Sequence, residues 1–144
     1  MKRGPVVLLG VAAVAAAALL LAPRFQRTGA RAPAYAASNV RAPAGVRIRV
    51  EVLNASPVRG LARRATMYLR DRGFDVVENG SAPAAEQRDS TLVLDRTNHP
   101  DWAALAAKAM GEARAEPRPD TLRDVDLTVL VGARWRPPAE PFYP

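Results

Sequence analysis

Few residues in this 144-residue chain have the types and spacing to do chemistry. There is one histidine, His99, and no cysteine, so disulfides, thiolate nucleophiles and cysteine-ligated zinc are ruled out. His99 has no second histidine to complete a metal set or a triad, and its place before Pro100 fits a cap or loop role. Asp95, Asp101, Asp124 and Asp126 could supply an acid/base pair. Each stands at an expected strand end or helix start, where acids commonly cap or face solvent. No GxSxG, P-loop, GxGxxG or HExxH motif occurs. The chain is therefore expected to have no catalytic residues, no metal site and no cofactor.

Binding chemistry is better represented. Arg59, Arg63, Arg64 and Arg70 recur along one side of a helical stretch, and guanidinium forks suit phosphate and carboxylate groups. The competing reading is the solvated face of an amphipathic helix. Just upstream, Asn54, Ser56, Pro57, Arg59 and Gly60 join a strand end to a helix start. Backbone N–H groups there favour anions. Asn54, Ser56, Arg59, Gly60 and Arg63 are thus the candidate ligand-binding residues. The alternative is that Asn54 and Ser56 only satisfy the turn while Gly60 permits close helix packing. Asn54-Ala55-Ser56 and Asn79-Gly80-Ser81 also fit the N-glycosylation triplet, which turn chemistry explains equally well.

The elements that must position these residues show in the hydropathy pattern. Val46, Ile48, Val50 and Val52 alternate with Arg47, Arg49 and Glu51, the period of a strand with one buried face. Ser56 is placed to cap a helix and Pro57 to occupy its first turn. Val58, Leu61, Ala65, Tyr68 and Leu69 then recur at helical spacing up to Gly73. Residues 74–78 form a short second strand, 80–90 a loop, and 91–95 a third strand. Pro100 opens a second helix with Trp102, Leu105, Ala106, Ala109 and Met110 inward and Gly111 at its close. After a proline-containing loop, Val125, Leu127, Val129 and Val131 make a fourth alternating strand. The order β-α-β-β-α-β predicts an α+β ferredoxin-like split fold, a four-stranded sheet with two helices on one face.

Around that domain the composition changes. The net charge is +7 with a pI near 10.9, yet residues 46–133 carry 13 basic and 13 acidic side chains. The surplus belongs to residues 1–45, which hold six basic residues and no acid, so nucleic-acid binding by the domain is not expected. The first and third strands also lack the aromatics on which an RNA-binding sheet stacks bases. Residues 1–4 are a basic segment. Residues 5–22 contain no charge and, at about 1.5 Å per residue, span roughly 27 Å as a helix, just enough for a transmembrane anchor. A cleaved signal would use Ala34-Tyr35-Ala36, far beyond the apolar run. Residues 23–45 read as a disordered Ala/Pro/Arg linker and 134–144 as a Pro-rich tail. Arginines flank both ends of the run, so charge alone does not orient it.

One group of residues carries a family resemblance. Val50-Glu51-Val52-Leu53-Asn54, Gly60-Leu61-Ala62, Leu69-Arg70 with Gly73-Phe74-Asp75-Val76, Thr91-Leu92-Val93-Leu94-Asp95 and Asp126-Leu127-Thr128-Val129-Leu130-Val131-Gly132 resemble the C-terminal accessory domain of LytR-CpsA-Psr cell-envelope proteins. The strand-Asn-turn-Gly-Leu-Ala-helix junction is the most specific part. In that family the domain follows a membrane anchor and a catalytic domain that attaches anionic polymers to peptidoglycan; here only the linker separates anchor from domain. A fainter similarity of element order to the SPOR peptidoglycan-binding module is fold-level analogy. The resemblance implies a non-enzymatic, single-pass cell-membrane protein whose domain lies outside the cytoplasm. Its expected partners are the cytoplasmic membrane and peptidoglycan, an anionic wall polymer or a cell-wall assembly protein. Two alternatives are a purely protein–protein module for a wall-polymer ligase, and a cytoplasm-facing regulator using the basic linker on nucleic acid or anionic lipid.

Overall fold

The computed structural model describes residues 39–111 and 113–137. The anchor expected over residues 5–22 lies outside them, as do most of the linker and of the tail. Among the described residues no helix is long and apolar enough to cross a membrane. The elements are β1 (Arg49–Asn54), α1 (Leu61–Arg70), β2 (Asp75–Ser81), a single 3-10 turn (Ala84–Glu86), β3 (Leu92–Asp95), α2 (Pro100–Ala109), β4 (Arg114–Pro117) and β5 (Leu127–Val131).

All five strands form one sheet in the order β2-β1-β5-β3-β4. This corrects the four-stranded split arrangement. Each helical crossover joins strands that are direct neighbours: β1 and β2 are parallel through α1, and β3 and β4 are parallel through α2. β5 then enters between the two units, parallel to β1 and antiparallel to β3. The physical reason lies in β5 itself, whose five residues Leu-Thr-Val-Leu-Val are all buried. A strand apolar on both faces belongs at the centre of a sheet. The fifth strand, β4, escapes pattern reading because Arg-Ala-Glu-Pro is polar and its Pro117 suits only an edge.

Both helices cover one face of the sheet, as expected from the sequence. Val50 and Val52 of β1, Val93 of β3, and Leu127, Val129 and Val131 of β5 meet Leu61, Ala65 and Leu69 of α1 and the alanines of α2 in one cluster. The small Ala103, Ala106 and Ala107 let α2 lie close to the sheet. Tyr68 joins the two helices: its hydroxyl donates to the Ala109 carbonyl at 2.8 Å, at the C-terminal end of α2. Arg72 stacks its guanidinium 3.5 Å from the Tyr68 ring centroid. Trp135 meets that ring edge-on, with centroids 5.7 Å apart.

Trp135 is 1% exposed, although its proline-rich neighbours read as an irregular tail. Val40 and Ala42 also pack on the core, so the packed unit extends past residues 46–133 at both ends. Val46, expected inward, is exposed. Trp135→Ala should therefore destabilise the domain by about 3–5 kcal/mol. In urea unfolding the midpoint should fall with little change in slope, and a chain ending at Ala133 should show a comparable loss.

Candidate functional site

The β1–α1 junction is built by Asn54. Its Oδ1 accepts from the Ser56 backbone N–H at 3.1 Å and the Ser56 hydroxyl at 2.8 Å. Its Nδ2 donates to the Val58 carbonyl at 2.8 Å. Ser56 Oγ in turn accepts from the Val58 N–H at 3.2 Å. Ser56 thus caps a turn and not the helix, which corrects the expected helix start. α1 begins four residues later, with Gly60 as its N-cap at φ 80° and no side-chain cap. That left-handed backbone is open to glycine at little cost, whereas a side chain there would be strained.

The five candidate residues therefore divide. Asn54 and Ser56 are partly or wholly buried and engaged within the turn. Arg59, Gly60 and Arg63 are exposed at the helix start, joined by Arg64. The guanidinium groups of Arg59, Arg63 and Arg64 have no hydrogen bond or ion pair among the described residues. The pattern is specific to this place. Arg47, Arg49, Arg88, Arg114, Arg118, Arg123 and Arg134 each pair with a carboxylate. Arg70 donates to the Val76 carbonyl, and Arg96 to the Thr128 hydroxyl. Three unpaired arginines within six residues, with no acid in the first turn of α1, form a cationic corner on an otherwise balanced domain.

The second polar region was not legible as a site. On the sheet face away from the helices, register places Glu78, Glu51, Thr128, Leu94 and Glu116 side by side across all five strands. Glu51 is 3% exposed, although alternation reads it as a solvated position. Arg123 donates to its Oε1 at 2.5 Å and the Thr128 hydroxyl to its Oε2 at 2.9 Å. Arg96 donates to Thr128 Oγ1 at 2.9 Å. Burial pushes the Arg96 guanidinium below its ordinary pKa, and the neighbouring Arg123 adds to this. It stays charged at neutral pH because arginine starts so high. Further along, Arg49 bonds Asp126 and Asp124, which hold its pKa up. The remaining half of this face is apolar, with Leu53, Leu92, Leu94 and Leu130 under Ala55 and Ala82. Gly132 lets the 89–90 backbone close over it: a Cβ there would stand 2.4 Å from the Asp89 carbonyl oxygen.

Three of the four acids considered for catalysis are occupied structurally, and the fourth, Asp101, is exposed in the first turn of α2. Asp95 Oδ1 accepts the backbone N–H groups of Thr97 and His99, forming the turn into α2. Asp124 and Asp126 serve Arg49. His99 caps α2 and stacks on Trp102 at 3.9 Å. No group of three or more His, Cys, Asp or Glu able to hold a metal occurs among the described residues.

Glu86 offers a measurable handle on the open face. The Arg118 hydrogen bond at 2.7 Å holds its carboxyl below the ordinary 4.5, against the opposing effect of burial, and Arg88 assists. A lowered folded pKa means the contribution is present above the unfolded value and is lost as pH falls through the folded one. Glu86→Gln should cost about 0.2–1 kcal/mol at pH 7. Wild type and variant should converge in melting temperature once the pH drops below the usual carboxylate range.

The domain's likenesses bear on this geometry. The family model described as LytR cell envelope-related transcriptional attenuator matches residues 47–135, a span that includes Trp135. Over 90 residues the chain is 31% identical to a cobyric acid synthase from Salmonella arizonae, a match covering 60% of this chain and 18% of that protein. The chain thus corresponds to less than a fifth of that relative's length. No solved structure matches the chain. The family match covers well over half of the sequence and coincides with the folded unit, so this chain belongs to the LytR C-terminal domain family of cell-envelope proteins.

Proposed function

We propose that this protein is a non-catalytic accessory of the cell envelope, held at the cytoplasmic membrane by residues 5–22, with its LytR C-terminal domain outside the cytoplasm. The observation that carries this reading is the coincidence of the family match at 47–135 with the packed unit, downstream of an uncharged 18-residue run and a linker. The likeness to a cobyric acid synthase spans too little of that protein to bring its activity here.

The binding face is assigned to the cationic corner of α1, and the ligand to an anionic wall component. Among the described residues Arg59, Arg63 and Arg64 are the guanidinium groups that folding leaves unspent, and their forks match phosphate or carboxylate oxygens. Asn54 and Ser56 act by holding the turn that presents them. A wall-assembly protein with an acidic surface is the second reading, favoured by the same three side chains.

Two experiments test it. The full chain should sediment with membranes and resist carbonate extraction, and protease added to intact spheroplasts should remove the domain. Protection of the domain would place it in the cytoplasm and sink the envelope assignment. Arg59→Ala combined with Arg63→Ala should leave the unfolding free energy within about 0.5 kcal/mol of wild type, as exposed substitutions do. The same variant should lose retention on purified peptidoglycan carrying its anionic polymer. Wild-type retention by the double variant would move the ligand elsewhere.

A further inference from the structure

The open face of the sheet carries a cleft of about 480 Å³ between β1, the edge strand β2 and the loop that precedes β5. Its volume falls in the range of about 300–1,000 Å³ typical of small-ligand sites. Its walls include Arg47, Glu51, Val77, Glu78, Leu122 and Arg123. The rim is held in place. Asp120 Oδ1 accepts the Leu122 N–H at 3.1 Å, Arg123 reaches down to Glu51, and Asp124 is tied to Arg49. These ties fix the loop at both ends of Leu122 and leave that side chain 95% exposed. Opposite it, the β1–β2 register slips between Val50 and Glu51, so that Val76 and Glu78, but not Val77, face consecutive β1 residues. That bulge turns Val77 outward, 46% exposed.

The charges in the cleft are incompletely matched. Glu51 and Glu78 are register partners on adjacent strands, an arrangement of like charges that is unfavourable unless cations intervene. Arg123 serves Glu51. The Glu78 carboxylate has no partner among the described residues. A seat for a cation is therefore open beside an existing carboxylate–guanidinium pair. Arg47 supplies the opposite seat. Its Nε bonds Asp75 at 2.5 Å, which leaves both terminal nitrogens of the fork unused among the described residues.

We propose that this cleft binds a short zwitterionic peptide. The ligand's ammonium group sits on Glu78, its carboxylate meets the terminal nitrogens of Arg47, and an apolar side chain lies between Val77 and Leu122. The cleft's own three arginines and three acids cancel, so it selects a ligand carrying both charges and discriminates against a polyanion. The site stands apart from the arginines of α1 and does not rest on the function proposed for them.

The test is a titration of the isotope-labelled full chain, in mild detergent, with the dipeptide leucyl-alanine, followed by amide chemical shifts. Saturable shifts at Val77, Glu78, Leu122 and Asp124 are expected. Affinity should fall about tenfold when the dipeptide is N-acetylated or Glu78 is changed to Gln, and similarly for the dipeptide amide or for Arg47→Gln, as loss of a charged hydrogen bond implies. Leu122→Ser, at a fully exposed position, should weaken binding without altering the melting temperature, which keeps the test valid if a charge variant folds poorly. Arg59→Ala with Arg63→Ala should bind the dipeptide as wild type does. No saturable shift at these four residues up to millimolar dipeptide, or equal affinity for the N-acetylated form, would overturn the proposal.

Discussion

A carboxylate buried in the centre of the sheet constrains much of the rest. Glu51 lies between β2 and β5 with 3% of its surface exposed, where an unpaired charge would cost several kcal/mol. Its two oxygens are satisfied from different parts of the chain, one by Thr128 on the neighbouring strand and one by Arg123 from the preceding loop. Thr128 then requires its own donor, which Arg96 supplies from the end of β3. Arg96 also reaches the Arg118 carbonyl, and Arg118 pairs with Glu86. The loop 118–126 is thereby drawn across a sheet face that no helix covers.

The two faces of the sheet solve the burial problem in different ways. Under the helices the contacts are apolar and close, with alanines on α2 and branched residues on β1 and β5. On the other face, half the surface is a small leucine cluster roofed by the 82–90 segment, and half is an ion-pair lattice roofed by 118–126. A lattice of guanidinium–carboxylate pairs contributes modestly to stability but fixes side chains in defined places. The proposed binding sites draw on what this pairing leaves over. Among the described residues the charged groups without a full complement include three arginines at the start of α1, one glutamate on β2 and half of the Arg47 fork.

Tyr68 plays the corresponding part on the helical side. It is one residue with three contacts of different character: a hydroxyl on the last turn of α2, a ring edge against Trp135, and a ring face under Arg72. Through it, α1, α2 and the segment after β5 are held in one packing unit. Val40 and Ala42 join the same cluster, and Ala42 donates its N–H to the Arg72 carbonyl. The chain thus arrives at the domain beside the C-terminal end of α1, away from the cationic corner.

Local sequence carried the two helices, four of the five strands, the single face both helices cover, and the family, because each rests on short-range periodicity or on contiguous motifs. Pro100 opening α2 and the alternation Ile48, Val50, Val52 are properties of neighbours along the chain. Strand order was not legible, since β5 reaches the centre by being apolar on both faces, a competition among strands that no window contains. The start of α1 was misplaced because Ser56 satisfies a helix and a turn equally well by type, and only Asn54 beside it decides. Trp135 looked like tail because prolines surround it, yet the cavity beside Tyr68 that it fills exists only after folding. Glu51 and Glu78 come side by side across 27 residues of chain through a strand register that carries a bulge, and the pairing of the other described arginines decides which three of those described remain free. Charges are written in the sequence; which of them are left unpartnered is a property of the fold, because pairing depends on distances that only tertiary structure sets.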